Sequence, residues 1–150
     1  MRSVILKKGR EKSVLRKHPW IFSGAIEKID GQLVPGETVK VMSLDRQCLG
    51  YGAFSPESQI QVRMWTYDKE AHIDPVFFKN KILKAVEKRN SFLNLSETDS
   101  FRLIFSEADD LPGIIVDKYR DYLICQFLSA GAELWKKTFV KILSENFPCK

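Results

Sequence analysis

Two stretches of this sequence concentrate side chains that could do chemistry. Lys7-Lys8-Gly9-Arg10-Glu11-Lys12, followed by Arg16-Lys17-His18-Pro19-Trp20, sets cations at short intervals beside flat rings. An RNA strand asks for this mixture, since phosphates take lysine and arginine while unstacked bases take Trp20, His18 or a guanidinium plane as partners. Charge alone does not separate that reading from an ordinary basic surface with Trp20 in the core. The second stretch, Glu107-Ala108-Asp109-Asp110, gathers carboxylates ahead of Leu111-Pro112-Gly113. Such a cluster can serve acid–base work or metal binding, and it equally suits a turn whose acidic side chains hydrogen-bond the nearby backbone.

Other catalytic patterns find no footing. His18 and His72 stand far apart, with no serine or cysteine motif spaced for nucleophilic attack. Gly50-Tyr51-Gly52 is the only GxG of the chain, and it lies within a strand-like run instead of opening a helix, so it reads as structural and not as a cradle for a nucleotide or methyl donor. Cys48, Cys125 and Cys149 are odd in number and irregularly spaced, which argues against a disulfide framework and against zinc. Cys48 and Cys125 read as small core residues, and Cys149 carries no activating pattern. No catalytic residue and no metal-ligand set is assigned.

Composition sets the frame for these side chains. With 44% hydrophobic and 29% charged residues the chain is an ordinary folded protein. Its longest apolar runs fall far short of the about 20 residues that cross a bilayer, and the N-terminus lacks the apolar stretch of a secretory signal, so a cytoplasmic protein with no membrane partner is expected. The net charge of +5 is unevenly spread. Residues 1–20 hold Arg2, Lys7, Lys8, Arg10, Lys12, Arg16 and Lys17 against Glu11 alone, an excess larger than that of the whole chain.

The elements that carry these residues fall into two groups. Ser3–Lys7, Trp20–Phe22 with Ala25–Ile29, Thr38–Ser43, Cys48–Phe54 and Gln59–Tyr67 predict short strands punctuated by turn residues, the pattern of a small β-barrel or sandwich over residues 1–68. Arg10 to Lys17 fits a single helical turn between the first two strands. Gly50 and Gly52 suggest a bend or a close backbone approach where a barrel closes. From Asp74-Pro75, a cap followed by proline, a helix is predicted with Phe78, Ile82, Ala85 and Val86 on its apolar face and Lys79, Lys81, Lys84, Lys88 and Arg89 on a solvated basic side. Three strands follow, Phe101–Ser106, Gly113–Lys118 and Tyr122–Leu128. Leu111-Pro112-Gly113 forms a type II turn, and Arg120-Asp121 turns the second hairpin. A last helix, from about Ala132 to Asn146, presents Trp135, Phe139 and Ile142 on one face and is ended by Pro148. The fold class is therefore α+β, an all-β unit followed by a helix, antiparallel strands and a helix over residues 73–150. Units this small bury little surface alone and are expected to pack on each other or on something further.

Taken together, two blocks resemble one family. The first runs from Leu6-Lys7-Lys8-Gly9-Arg10 through Arg16-Lys17-His18-Pro19-Trp20-Ile21-Phe22-Ser23-Gly24 and continues in Gly36, Gly50, Gly52, Ser58-Gln59-Ile60 and Arg63. The second is Glu107-Ala108-Asp109-Asp110-Leu111-Pro112-Gly113-Ile114-Ile115-Val116-Asp117-Lys118-Tyr119, with Gln126 and Ser129-Ala130-Gly131 after it. They are similar to the bacterial S-adenosylmethionine-dependent 23S ribosomal RNA methyltransferases that make 5-methylcytosine, built from a PUA domain, a central α+β domain and a C-terminal Rossmann-like catalytic domain. The resemblance covers essentially the whole chain, with Lys17 and Asp110 standing where the family usually shows glycine. It implies a PUA-like barrel over residues 1–68, an RNA-binding set of Lys7, Lys8, Arg10, Lys12, Arg16, Lys17, His18, Trp20 and Arg63, and a substrate-side or interdomain turn at Glu107, Asp109 and Asp110. It also implies that the donor-binding loop and the cysteine nucleophile lie downstream. No cofactor is then expected here, S-adenosylmethionine is expected for the full-length parent, and Cys149 is not that nucleophile.

On this reading the chain docks structured ribosomal RNA for a catalytic domain of its parent and is inactive alone. Two alternatives stay open: a stand-alone module that recognises a protein on the ribosome or in an RNA-processing complex, and a small hydrolase using Glu107 and Asp109.

Overall fold

A computed structural model describes residues 1–94 and 96–147. The predicted end of the last helix at Pro148, and Cys149, lie outside the described residues. The first half forms strands β1 (Ser3–Leu6), β2 (Trp20–Phe22), β3 (Ile26–Asp30), β4 (Thr38–Met42), β5 (Cys48–Phe54) and β6 (Ile60–Thr66), with the short helix α1 (Glu11–Leu15) between β1 and β2. They make one sheet in the order β2-β6-β5-β4-β1-β3, in which β1 and β4 run parallel and every other pair is antiparallel. The two edge strands, β2 and β3, are neighbours in sequence, joined by a single 3-10 turn at Ser23–Ala25. The sheet therefore curls until its edges meet at that turn, a half-barrel whose seam is the β2–β3 corner. Its interior is filled by Val4, Leu6, Ile21, Val39, Val41, Leu49, Phe54, Val62 and Met64, and Val14 of α1 plugs one side. A Cβ on Gly50 or Gly52 would run into the β6 backbone, at 2.2 Å from Thr66 O and 2.6 Å from Arg63 O, so the paired glycines do mark a close strand approach.

The second half contributes α2 (Pro75–Phe92), the sheet β7 (Ser100–Phe105), β8 (Ile114–Tyr119) and β9 (Tyr122–Phe127), and α3 (Ala130–Asn146). Asp74 caps α2 by accepting the Phe77 N–H at 2.8 Å, with Pro75 at the first helical position. The turn before β8 is closed by Ile114 N–H donating to Leu111 O at 3.1 Å, with Gly113 at φ +78°. The last helix begins two residues before the predicted Ala132, because Ser129 accepts the Ala132 N–H and so caps a turn that apolar spacing alone does not reveal.

One expectation needs correction. Helical spacing puts Arg89 with the lysines on the solvated side of α2, yet it is buried, with only 6% of its surface exposed. A helix face wide enough to meet both β7 and the acidic turn takes in a fourth position, and the long arginine reaches the carboxylate waiting there. Cys48 and Cys125 are half-buried, at the margins of the core and not inside it.

The two units share an interior. On β6 the side chains alternate, so Val62 and Met64 fill the barrel while Arg63 and Trp65 point away from it. Trp65 is nevertheless 1% exposed, because it is covered by the second unit, where its ring meets Phe78 edge-on at 5.1 Å. Phe78 is ringed in turn by Trp135 and Phe139, each at 4.8 Å. Ala53 and Trp65 of the barrel thus belong to the same apolar cluster as Ile82, Leu103, Leu111, Val116 and Leu143. Among the described residues no helix is long and apolar enough to cross a membrane.

Candidate nucleic-acid interface

The chain leaves β1 at Lys7, reverses through Gly9, and builds α1 with Val14 as its inward anchor. Since one apolar residue suffices to seat so short a helix, the charged remainder is exposed: Lys7, Lys8, Arg10, Lys12, Arg16, Lys17 and His18 all face solvent. Several of them are tied to one place. Lys7 Nζ donates to Gly24 O at 3.1 Å and its amide to Ala25 O at 2.9 Å, which fastens the start of this segment to the seam corner. His18 N–H donates to Ser13 O at 2.9 Å, folding the far end back on α1. Between the two lies a cavity of about 210 Å³ lined by Arg10, Ser13, Trp20, Phe22, Gly24 and Ala25.

The walls of that cavity suit a base and its phosphate. Trp20 is 37% and Phe22 47% exposed, although both are large apolar rings. Their centroids stand 6.5 Å apart edge-on, and His18 meets Trp20 in the same fashion at 5.9 Å. Two rings and a guanidinium around an open pocket offer flat faces to an unstacked base with a cation at hand for the backbone. Of the predicted set, Arg10 and Trp20 line the pocket, while Lys7 is tied to its Gly24 wall and His18 stacks edge-on against Trp20. Lys8, Lys12, Arg16 and Lys17 are exposed cations of the same segment that stand outside the pocket lining. Phe22 is absent from the sequence-predicted set; the signal that points to it is its two-residue spacing from Trp20, which puts both on one face of β2.

Lys17 sits at φ +60° and Asp110 at φ +56°, the left-handed region that favours glycine. The two departures from the family pattern therefore coincide with backbone shapes that glycine adopts freely. Lys17→Gly should raise stability by about 0.5–1 kcal/mol, a melting-point gain of about 2 °C for a chain this size. The same change should weaken binding of an RNA fragment; a thermal melt and a titration on one sample check both directions.

The acidic turn is engaged by the protein itself. Trp20 Nε1 donates to Glu107 Oε1 at 2.7 Å, joining the barrel edge to the second unit. Burial alone would push Glu107 up, but hydrogen bonds from Ser106 and Trp20 and the charge of Arg63 hold it below the ordinary glutamate range. The Asp109 side chain is 1% exposed and accepts from Arg89 Nη1 at 2.6 Å and from the Phe105 amide at 2.7 Å. Lys88 adds a third donor at 3.3 Å. For Asp109 too, burial pushes upward and is outweighed by these donors, so its carboxyl stays ionised. Both carboxylates are acceptors held by donors of the protein itself. Asp110 is exposed beside Tyr67, whose hydroxyl is pushed up to about 12 by burial and by the neighbouring Asp110 charge. Arg63 faces the same side of the sheet as Trp20, its partner across the β2–β6 ladder.

Gly50-Tyr51-Gly52 does not fit a methyl donor, since its backbone is covered by β6. Among the described residues no group of three histidine, cysteine, aspartate or glutamate side chains converges on a metal position.

The PUA-like domain family matches residues 4–67, which span the half-barrel. Ribosomal RNA large subunit methyltransferase I of Shewanella amazonensis is 48% identical over 143 residues, covering 95% of this chain and 36% of that protein. The protein of the same name from Aliivibrio fischeri is 47% identical over 146 residues, covering 97% and 37%. Among solved structures, one named as a SAM-dependent methyltransferase from Streptococcus mutans superposes with a TM-score of 0.81 at 16% identity over 97% of this chain and 38% of its own. A methyltransferase complexed with SAH gives 0.82 at 16%, over 97% and 37%. At that identity the structural likeness speaks for the fold, and the chain spans little more than a third of the relatives it matches.

Proposed function

Because residues 4–67 form a PUA-like domain and the chain is homologous over nearly its whole length to ribosomal RNA large subunit methyltransferase I, we propose that it is the RNA-docking part of a cytoplasmic, S-adenosylmethionine-dependent ribosomal RNA (cytosine-5) methyltransferase. The half-barrel of residues 1–68 holds structured ribosomal RNA at its seam, and the α+β unit of residues 73–150 sets that RNA in register for the parent's catalytic domain. Lys7, Lys8, Arg10, Lys12, Arg16, Lys17 and Arg63 supply cations, and His18 and Trp20 supply stacking surface. Glu107 acts from across the unit boundary by holding the Trp20 indole, with Asp109 and Asp110 shaping its turn. Phosphate contacts provide affinity and the ring pocket provides orientation, which leaves selection of the reacting atom to the parent.

The observation that carries the proposal is the open pocket of Arg10, Trp20 and Phe22 on the most cationic segment of the chain. Trp20→Ala should weaken binding of a looped ribosomal RNA fragment about tenfold, as expected for losing one base–aromatic stack. Trp20→Phe keeps a ring and should retain most of the affinity while losing the Glu107 hydrogen bond. Fluorescence anisotropy with a labelled fragment decides it, and equal affinity in the unaltered chain and the alanine variant would refute the stacking role.

A further inference from the structure

We propose a phosphate-binding pocket at the junction of the two units, formed by Arg63, the Ser55 hydroxyl and the first turn of α3. A cavity of about 320 Å³ opens there, lined by Ser55, Glu57, Ser58, Arg63, Leu128 and Ala130 among others. Three independent features of it call for an anion. Helix geometry leaves the Ala130 and Gly131 amides at the start of α3 without carbonyl partners, and the 17-residue helix adds the positive end of its dipole. Ser129 uses its own side chain on the Ala132 amide, so it does not serve the two amides before it.

Arg63 is the second feature. It is half-buried, and its Nη1 donates to Ile60 O at 3.3 Å. Among the described residues no carboxylate comes within ion-pair distance of it. Burial pulls its pKa below the usual arginine value, and the Glu107 charge offsets this only in part. A half-buried guanidinium with no carboxylate within ion-pair distance offers donors in the fork that fits two phosphate oxygens.

Ser55 is the third. The residue is 6% exposed, its Oγ has no hydrogen-bond partner, and it lines the cavity. A buried hydroxyl left unpaired is unfavourable unless a ligand completes it. Glu57 also lines the cavity and its charge opposes an anion, which favours a phosphate held on the Arg63 side.

The ligand chemistry is a phosphate group, either a backbone phosphate of a bound RNA strand or free phosphate; the first source rests on the RNA-docking reading and the second does not. The experiment is an amide-resolved NMR titration of the full 150-residue chain with inorganic phosphate, repeated with a short RNA oligonucleotide. Saturable shifts at Ser55, Ser58, Ala130 and Gly131 are expected with inorganic phosphate. Arg63→Gln should weaken that binding about tenfold or more, the worth of a charge-assisted contact. Ser55→Ala should weaken it about threefold to tenfold while leaving the melting temperature unchanged or higher, because it removes an unpaired buried group. That split distinguishes a ligand contact from a structural residue. If the oligonucleotide moves the same amides at lower concentration, the source is RNA; if only inorganic phosphate moves them, the pocket stands with free phosphate as its ligand and RNA docking proceeds without it. Shifts confined to surface lysines, or shifts unaltered in both variants, would overturn the pocket.

Discussion

Asp109→Ala should destabilise the protein by about 3–5 kcal/mol, the usual cost of stripping one partner from a buried ion pair. The loss goes beyond one bond. Asp109 joins α2 through Arg89, the end of β7 through the Phe105 amide, and Lys88 besides, so its removal strands a buried guanidinium between two elements. Asp109→Asn keeps the shape and some hydrogen bonds and should cost less. Chemical denaturation of the three proteins measures the difference. The pH dependence has a definite sign. The folded carboxyl binds its proton below the ordinary value of 3.8. The unfolded chain therefore takes up that proton first as acid is added, and the contribution, complete above about pH 4 to 5, is lost as pH falls through the folded value. Asp109→Asn should flatten this acid limb, and an unchanged limb would show that the pair does not hold the elements together.

Gly131→Ala should also destabilise the protein, less strongly and for a different reason. An added Cβ at this helical position would stand 2.2 Å from the Ala53 Cβ and 2.9 Å from Trp65 Cζ2, inside any tolerable contact. To relieve it, α3 must lift off the barrel wall, and overpacking of this kind costs about 1–3 kcal/mol. Alanine is otherwise the better helix residue, so a net loss would come from the junction alone. The clash with Ala53 is mutual, and Ala53→Gly in the same chain should restore part of the loss, with a coupling of about 1–2 kcal/mol between the two sites. Additive losses would mean that the helix is not seated against β5.

These two residues also show where sequence reading succeeds and where it stops. The strands of the half-barrel follow from period-two alternation and turn residues, and α2 from Asp74-Pro75 and the spacing of Phe78, Ile82 and Ala85, all of them local signals. The turn at Leu111-Pro112-Gly113 is equally local. What local signals do not contain is the pairing between units. Trp65 reads as one more alternating strand residue, but its burial depends on α2 and α3 arriving from far along the chain. Arg89 shares the helical spacing of the surface lysines, and only the distant Asp109 separates its fate from theirs. At the candidate site the cations and Trp20 are legible because charge density is a property of composition. Phe22 is legible only through its spacing from Trp20 on β2, and the Trp20–Glu107 bond is not legible at all, since it needs the fold to bring two distant segments together. The positive φ of Lys17 is likewise invisible in its residue type, whereas aspartate, the type at 110, visits the left-handed region more readily than most.

Most direct of all is the salt dependence of binding to a ribosomal RNA fragment. With affinity drawn from cations at the seam, the logarithm of the association constant should fall linearly with the logarithm of salt concentration. Changing Arg10 and Arg16 together to alanine should then reduce that slope by about one to two, close to 0.9 for each phosphate no longer neutralised. A slope identical in the unaltered chain and the double variant, or binding that ignores salt altogether, would contradict docking through this edge.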